Sequence, residues 1–94
     1  MFTVRIEHSV RDYDAWKQVF DSDPVDRRGS GVRRYRVSRS VADPNSVLID
    51  LDLDDLASAE TMLAKLKDLW AGPAAGTTVN PRGTVVEQVD SVDL

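Results

Sequence analysis

Between Val47 and Leu53 the chain reads Val-Leu-Ile-Asp-Leu-Asp-Leu, and no other stretch restricts its fold so tightly. Ile49, Leu51 and Leu53 alternate with Asp50 and Asp52, the period of two that turns one face of a strand to a core and the other to water. A second run, Val32 to Ser40, carries the complementary pattern, with Tyr35 and Val37 facing away from Arg34 and Arg36. Between the two lies Ala42-Asp43-Pro44-Asn45, where Pro presets φ and Asp and Asn bond their own backbone, so the pair reads as a hairpin. The pairing that sets Arg34 opposite Asp52 and Arg36 opposite Asp50 also sets Tyr35 opposite Leu51 and Val37 opposite Ile49. Each opposite-charge pair is worth only about 0.2–1 kcal/mol. A slip of one residue would drive carboxylates into the core, and that fixes the parity.

The remaining elements follow from spacing. Phe2, Val4 and Ile6 alternate with Thr3, Arg5 and Glu7, giving a first strand over about residues 2–8. Tyr13, Trp16 and Phe20 recur at helical spacing behind Asp12, an N-cap candidate, which predicts a helix over 13–22 that must end before Pro24. Leu56, Ala59, Leu63, Leu66 and Trp70, joined by Met62 and Leu69, trace a helical stripe behind Asp55 and predict a second helix over 56–70. Residues 71–83, with two Pro and three Gly, read as a long loop, and 84–89 as a fourth strand. The order β-α-β-β-α-β with short right-handed crossovers puts both helices on one face of a four-stranded antiparallel sheet. The expected fold class is therefore α+β, ferredoxin-like, in one domain spanning residues 1–94.

Composition closes off several functions. Hydrophobic residues make up 41% of the 94 and charged residues 30%, which fits a globular domain with one core. No stretch approaches the roughly 20 apolar residues that cross a bilayer, and the alternating first residues do not resemble a secretory signal. With no cysteine there is no disulfide, thiolate nucleophile or Cys-ligated zinc, which suits a reducing cytoplasm. Residues 1–47 hold nine Lys/Arg against seven Asp/Glu, and 48–94 hold three against nine. The arginine-rich run from Arg27 to Arg39 thus sits in an acidic whole, whereas nucleic-acid binders carry a basic footprint. The sheet face opposite the helices offers Thr3, Arg5, Arg34, Arg36, Asp50 and Asp52 and no aromatic on which a base could stack. Cross-strand neutralisation is the simpler reading of these charges, and Arg27-Arg28 reads as a solvated loop. Asp50, Asp52 and Asp54 share a strand face without the loop that gathers oxygen ligands, so no metal is expected.

The run His8-Ser9-Val10-Arg11-Asp12-Tyr13-Asp14-Ala15-Trp16-Lys17, followed by Gly31-Val32, Arg36-Val37-Ser38-Arg39-Ser40, Asp43-Pro44-Asn45 and Asp54-Asp55-Leu56, resembles small bacterial proteins of the dimeric α+β barrel superfamily. That group includes antibiotic biosynthesis monooxygenase-like proteins and some polyketide cyclases, and the resemblance covers about residues 4–62. It implies a homodimer whose two sheets pack into a barrel, with ligands between sheet and helices and no cofactor. Haem-degrading members of the group carry their essential His on a helix, and neither helix predicted here has one.

His8 is the single histidine, and histidine is the side chain that normally titrates near neutral pH. Its even number places it with Phe2, Val4 and Ile6 on the helix-facing side, and the topology brings it to the same end of the sheet as Arg39. Tyr13 and Trp16 begin the helix at that end. A corner of His8, Arg39, Tyr13 and Trp16 could hold a phenolate or carboxylate and move a proton, with His8 as the catalytic group and the other three binding substrate. The competing reading is a rim histidine bonded to a carbonyl, an exposed hairpin-end arginine and two core aromatics. Two functions remain open: a small aromatic or polyketide-like ligand oxidised without a cofactor or rearranged by proton transfer, or a non-catalytic binding or structural dimer. A snug cavity reaching His8 favours the first, and an interface filled by Tyr13, Trp16, Phe20 and Met62 favours the second.

Overall fold

In the computed structural model, which describes residues 1–94, the elements run β1 (Phe2–Val10), α1 (Tyr13–Asp21), β2 (Val32–Arg39), β3 (Ser46–Leu53), α2 (Leu56–Ala71) and β4 (Thr78–Glu87). The strands form one sheet in the order β2-β3-β1-β4, with every neighbouring pair antiparallel. This is the ferredoxin-like arrangement expected from the element order.

The hairpin register is the one that the charges demand. Arg34 lies opposite Asp52, Tyr35 opposite Leu51, Arg36 opposite Asp50 and Val37 opposite Ile49, and an irregularity between Val32 and Arg34 ends the regular ladder. On the covered face Val4, Ile6, Val47, Ile49, Leu51 and Leu53 are buried beneath Trp16 of α1 and Ala59, Met62 and Leu66 of α2. Both predicted N-caps form: the Asp12 carboxylate accepts from the backbone N–H groups of Asp14 and Ala15, and Asp55 accepts from that of Ser58. These bonds satisfy donors that a helix start leaves orphaned.

On the open face the charges pair with one another. Asp52, only 2% exposed, accepts from the Thr3 hydroxyl at 2.7 Å, Arg34 Nε at 3.1 Å and Arg36 Nη1 at 2.9 Å. Asp50 accepts from Arg5 Nε at 3.1 Å and lies 3.4 Å from Arg36 Nη2. The Arg36 bond, reinforced by those of Thr3 and Arg34, outweighs burial and holds the Asp52 carboxyl down at about 2.

The fourth strand departs from expectation. It starts at Thr78 and runs through Asn80-Pro81-Arg82-Gly83, residues that read as loop, and it ends at Glu87. Two features permit this. β4 is an edge strand, where the missing Pro81 N–H costs no ladder bond. Asn80 takes φ of 51°, and the pairing with β1 jumps between Glu7–Arg82 and Ser9–Val79, a bulge that absorbs the turn-like residues. Gly83 is present for clearance: a Cβ there would stand 2.7 Å from Leu63 Cδ1 and 3.2 Å from Trp70 Cη2, so its absence lets α2 lie close on the strand.

Candidate functional site

β1 carries His8 to the covered face, opposite Val47 of β3, and Arg39 of β2 meets the same Val47 from the other side. The two residues therefore share one row at one end of the sheet, as the topology requires. The bulge in β4 falls beside His8, which is skipped in the β1–β4 pairing between Glu7 and Ser9. Such irregularities re-aim side chains at the ends of sheets.

His8 is 4% exposed and packs edge-on against Trp16, with ring centroids 5.2 Å apart. Its Nδ1 lies 3.3 Å from the Ser9 carbonyl oxygen. A carbonyl only accepts, so Nδ1 carries the proton and the free lone pair is on Nε2. Nε2 makes no hydrogen bond, and it is not sealed from water, since no fully buried side-chain nitrogen or oxygen lacks a partner. Burial pushes the imidazole below 6.5, against a smaller upward effect of the Ser9 bond, and so favours the neutral form.

From His8 the aromatic contacts continue outward. Tyr13 and Trp16 centroids are 5.8 Å apart, and the Arg39 guanidinium carbon lies 4.2 Å from the Tyr13 ring centre. Arg39 Nε also donates to the Pro44 carbonyl at 3.0 Å. The four residues singled out in the sequence thus form one chain of contacts, His8–Trp16–Tyr13–Arg39, with Arg39 at its exposed end.

Between helices and sheet lies a largely apolar cavity of about 50 Å3. On this measure one water takes about 10–15 Å3, so the space holds a few waters as it stands. Its lining includes His8, Trp16 and Phe20 on one side and Leu66, Trp70 and Thr78 on the other. Tyr13 and Arg39 do not line it, and Met62 is buried in the core away from it. A ring-sized ligand fits only if wall residues such as Val25, Leu69 or Ala74 give way.

Three polar wall residues escaped the sequence reading. Thr77 and Thr78 come from the segment read as loop, and the signal for Thr78 was a strand alternation that Pro81 and Gly83 interrupt. Arg27 is the third. Its side chain is only 13% exposed, which corrects the expectation of a solvated Arg27-Arg28 loop; Arg28 alone is exposed. The Arg27 guanidinium sits 4.1 Å from the Phe20 ring centre and 4.8 Å from that of Tyr35, and Nη1 donates to the Phe20 carbonyl at 2.8 Å. Nothing local in Arg-Arg-Gly-Ser-Gly announces that stack, because its partners come from α1 and β2.

No helix is long and apolar enough to cross a membrane. No protein-family model and no curated protein sequence matches the chain. Solved structures do. The chain is similar to SnoaB, a cofactor-independent oxygenase from Streptomyces nogalater, at 15% identity and a TM-score of 0.77, covering 97% of this chain and 95% of that one. It is similar to a dimeric ferredoxin-like protein from an uncultured marine organism at 17% identity and a TM-score of 0.70, covering 97% of each chain. A structure described as an antibiotic biosynthesis monooxygenase matches at 14% identity and a TM-score of 0.68, over 96% of this chain and all of that one. The shared feature is the fold: that of the antibiotic biosynthesis monooxygenase-like structures, end to end.

Proposed function

We propose that the protein is a cytoplasmic homodimer that takes a planar aromatic or polyketide-like molecule into the helix–sheet cavity, where His8 moves a proton. The observation that carries this reading is an aromatic-walled cavity reaching the one histidine, whose neutral form burial favours. A neutral imidazole with a free Nε2 accepts a proton from a phenol, or from a C–H made acidic by adjacent carbonyls. The anion left behind is electron-rich, and it either rearranges or gives electrons to dioxygen without a cofactor. Trp16 supplies the apolar wall, Tyr13 packs behind Trp16 and holds it in place, and Arg39 draws an anionic group at the outer rim. The fold likeness to a cofactor-independent oxygenase supports this chemistry, and likeness to a dimeric protein supports the assembly. The open sheet face also supports pairing, because Asp52 is already buried and bonded before any second sheet arrives.

A non-catalytic dimer draws support from one observation, the His8–Ser9 bond that a purely structural histidine would also make. Native mass spectrometry tests the assembly and the site together. The expected species is two chains of 10.4 kDa each, carrying small-molecule mass. Bare single chains at micromolar concentration would refute both the assembly and the site. For the chemistry, oxygen uptake and proton-exchange assays on polyphenolic substrates should lose their signal in His8→Gln at matched thermal stability. Turnover equal to that of the unaltered protein would leave the non-catalytic reading standing.

A further inference from the structure

Arg27 is the one cationic side chain in the cavity wall, and it lies there only because the segment between α1 and β2 is shaped to hold it. Asp23, with φ of 59°, uses its carboxylate oxygen Oδ1 to accept from the Arg27 backbone N–H at 2.9 Å. The same oxygen stands 3.5 Å from Arg27 Nε, too long for a tight ion-pair bond. A guanidinium has five N–H donors, and the one side-chain hydrogen bond here is from Nη1 to the Phe20 carbonyl. Phe20 and Tyr35, whose ring centres lie 5.3 Å from each other, both pack against it from adjacent sides. The side chain is thus largely removed from water, loosely countered, set against two aromatic rings and left with spare donors, and it forms part of the wall of an apolar cavity.

We propose that Arg27 is the anion-recognising residue of this cavity, and that the ligand is amphipathic: a flat apolar body against Trp16, Phe20 and Trp70, and a carboxylate or phenolate oxygen at Arg27. This rests on reading the cavity as a ligand site, and it adds to that reading the ligand's charge and a specificity-determining contact. Planar, forked donors suit two-oxygen acceptors, and the lack of a tight internal partner leaves the charge available. Arg39 differs in being solvent-facing and outside the cavity wall, so it contributes to approach and Arg27 to selection.

The test uses a matched pair of probes, 2-naphthoate and its neutral amide, with binding read from the fluorescence of Trp16 and Trp70 and from their indole N–H signals. The unaltered protein should prefer the naphthoate by about tenfold, as one charge-assisted contact allows. Arg27→Met keeps the stem and removes the charge, and it should bring the ratio near one while leaving amide affinity within about twofold. Asp23→Asn keeps a residue that tolerates positive φ and removes the competing carboxylate, so it should raise the ratio by about threefold. Arg39→Ala should lower the ratio by no more than about twofold, as a solvent-screened charge at the outer rim allows. Equal binding of both probes by the unaltered protein, or an unchanged ratio in Arg27→Met or Asp23→Asn, overturns the role of Arg27 and leaves the cavity standing as a site. Absence of binding by either probe overturns the site itself, and this inference with it. If Arg27→Met fails to fold, Asp23→Asn decides alone.

Discussion

The two faces of the sheet each bury an ionisable side chain, and they do so in opposite ways. Asp52 on the open face stays charged, because a hydroxyl and two guanidinium groups surround it. His8 on the covered face has a single backbone contact and gives up its charge instead. Burial is tolerated when a charge is fully bonded or when it is absent. The first solution locks a face, and the second leaves a group ready to accept a proton. The difference puts the proposed proton transfer on the helix side and rigidity on the other.

The sharpest way to break this comparison is Asp52→Ala. It leaves the Thr3 hydroxyl unsatisfied and sets Arg34 and Arg36 against each other. Because both arginines are about half exposed or more, the cost should fall below that of a fully buried pair, at about 2–3 kcal/mol. Urea unfolding measures it, and a loss under about 1 kcal/mol would mean that the network is ornamental. The same carboxyl sets a pH window. Its folded value, about 2, lies below the ordinary 3.8, so its stabilisation is complete above about pH 4 and drains away as pH falls towards 2. That limb of the acid titration should flatten in the variant.

On the covered face the corresponding weak point is steric. Gly83→Ala should cost about 1–3 kcal/mol, because Leu63 and Trp70 must retreat from the new methyl group. A neutral result in thermal melts would show that α2 rides loosely on β4. The smallest expected effect belongs to His8. Burial lowers its folded value, so the unfolded chain binds more protons at mildly acid pH, and stability should decline as pH falls below 6.5. His8→Gln should remove that slope. Retention of the slope would assign it to other groups and weaken the contrast with Asp52.

The sequence was most informative where a constraint was local or self-consistent. Asp12 and Asp55 announce their helices because capping is decided within three residues. The register of β2 and β3 was legible because two arginines, two aspartates and four apolar residues agree on one parity. His8 could be placed on the covered face by counting in twos, and beside Arg39 by topology. β4 was not legible at its start, since Asn80-Pro81-Arg82-Gly83 has turn composition and only pairing to β1 overrides it. Arg27 was missed for a related reason: a guanidinium packed against Phe20 and Tyr35 is a property of folded neighbours, and its own surroundings in sequence look like solvent. The wall that Thr77 and Trp70 add to the site depends likewise on how α2 returns to the sheet.

The kinked stretch of β4 has a bearing on solubility. A regular outermost strand is a template onto which other chains can stack without limit. Here Pro81 removes a donor, Asn80 turns the backbone the wrong way for a ladder, and Arg82 adds a charge paired with Glu7 at 3.0 Å. An incoming strand would find the row of partners broken midway. Sheet-to-sheet growth towards fibrils is thus blocked along this border by the same residues that form the bulge beside His8.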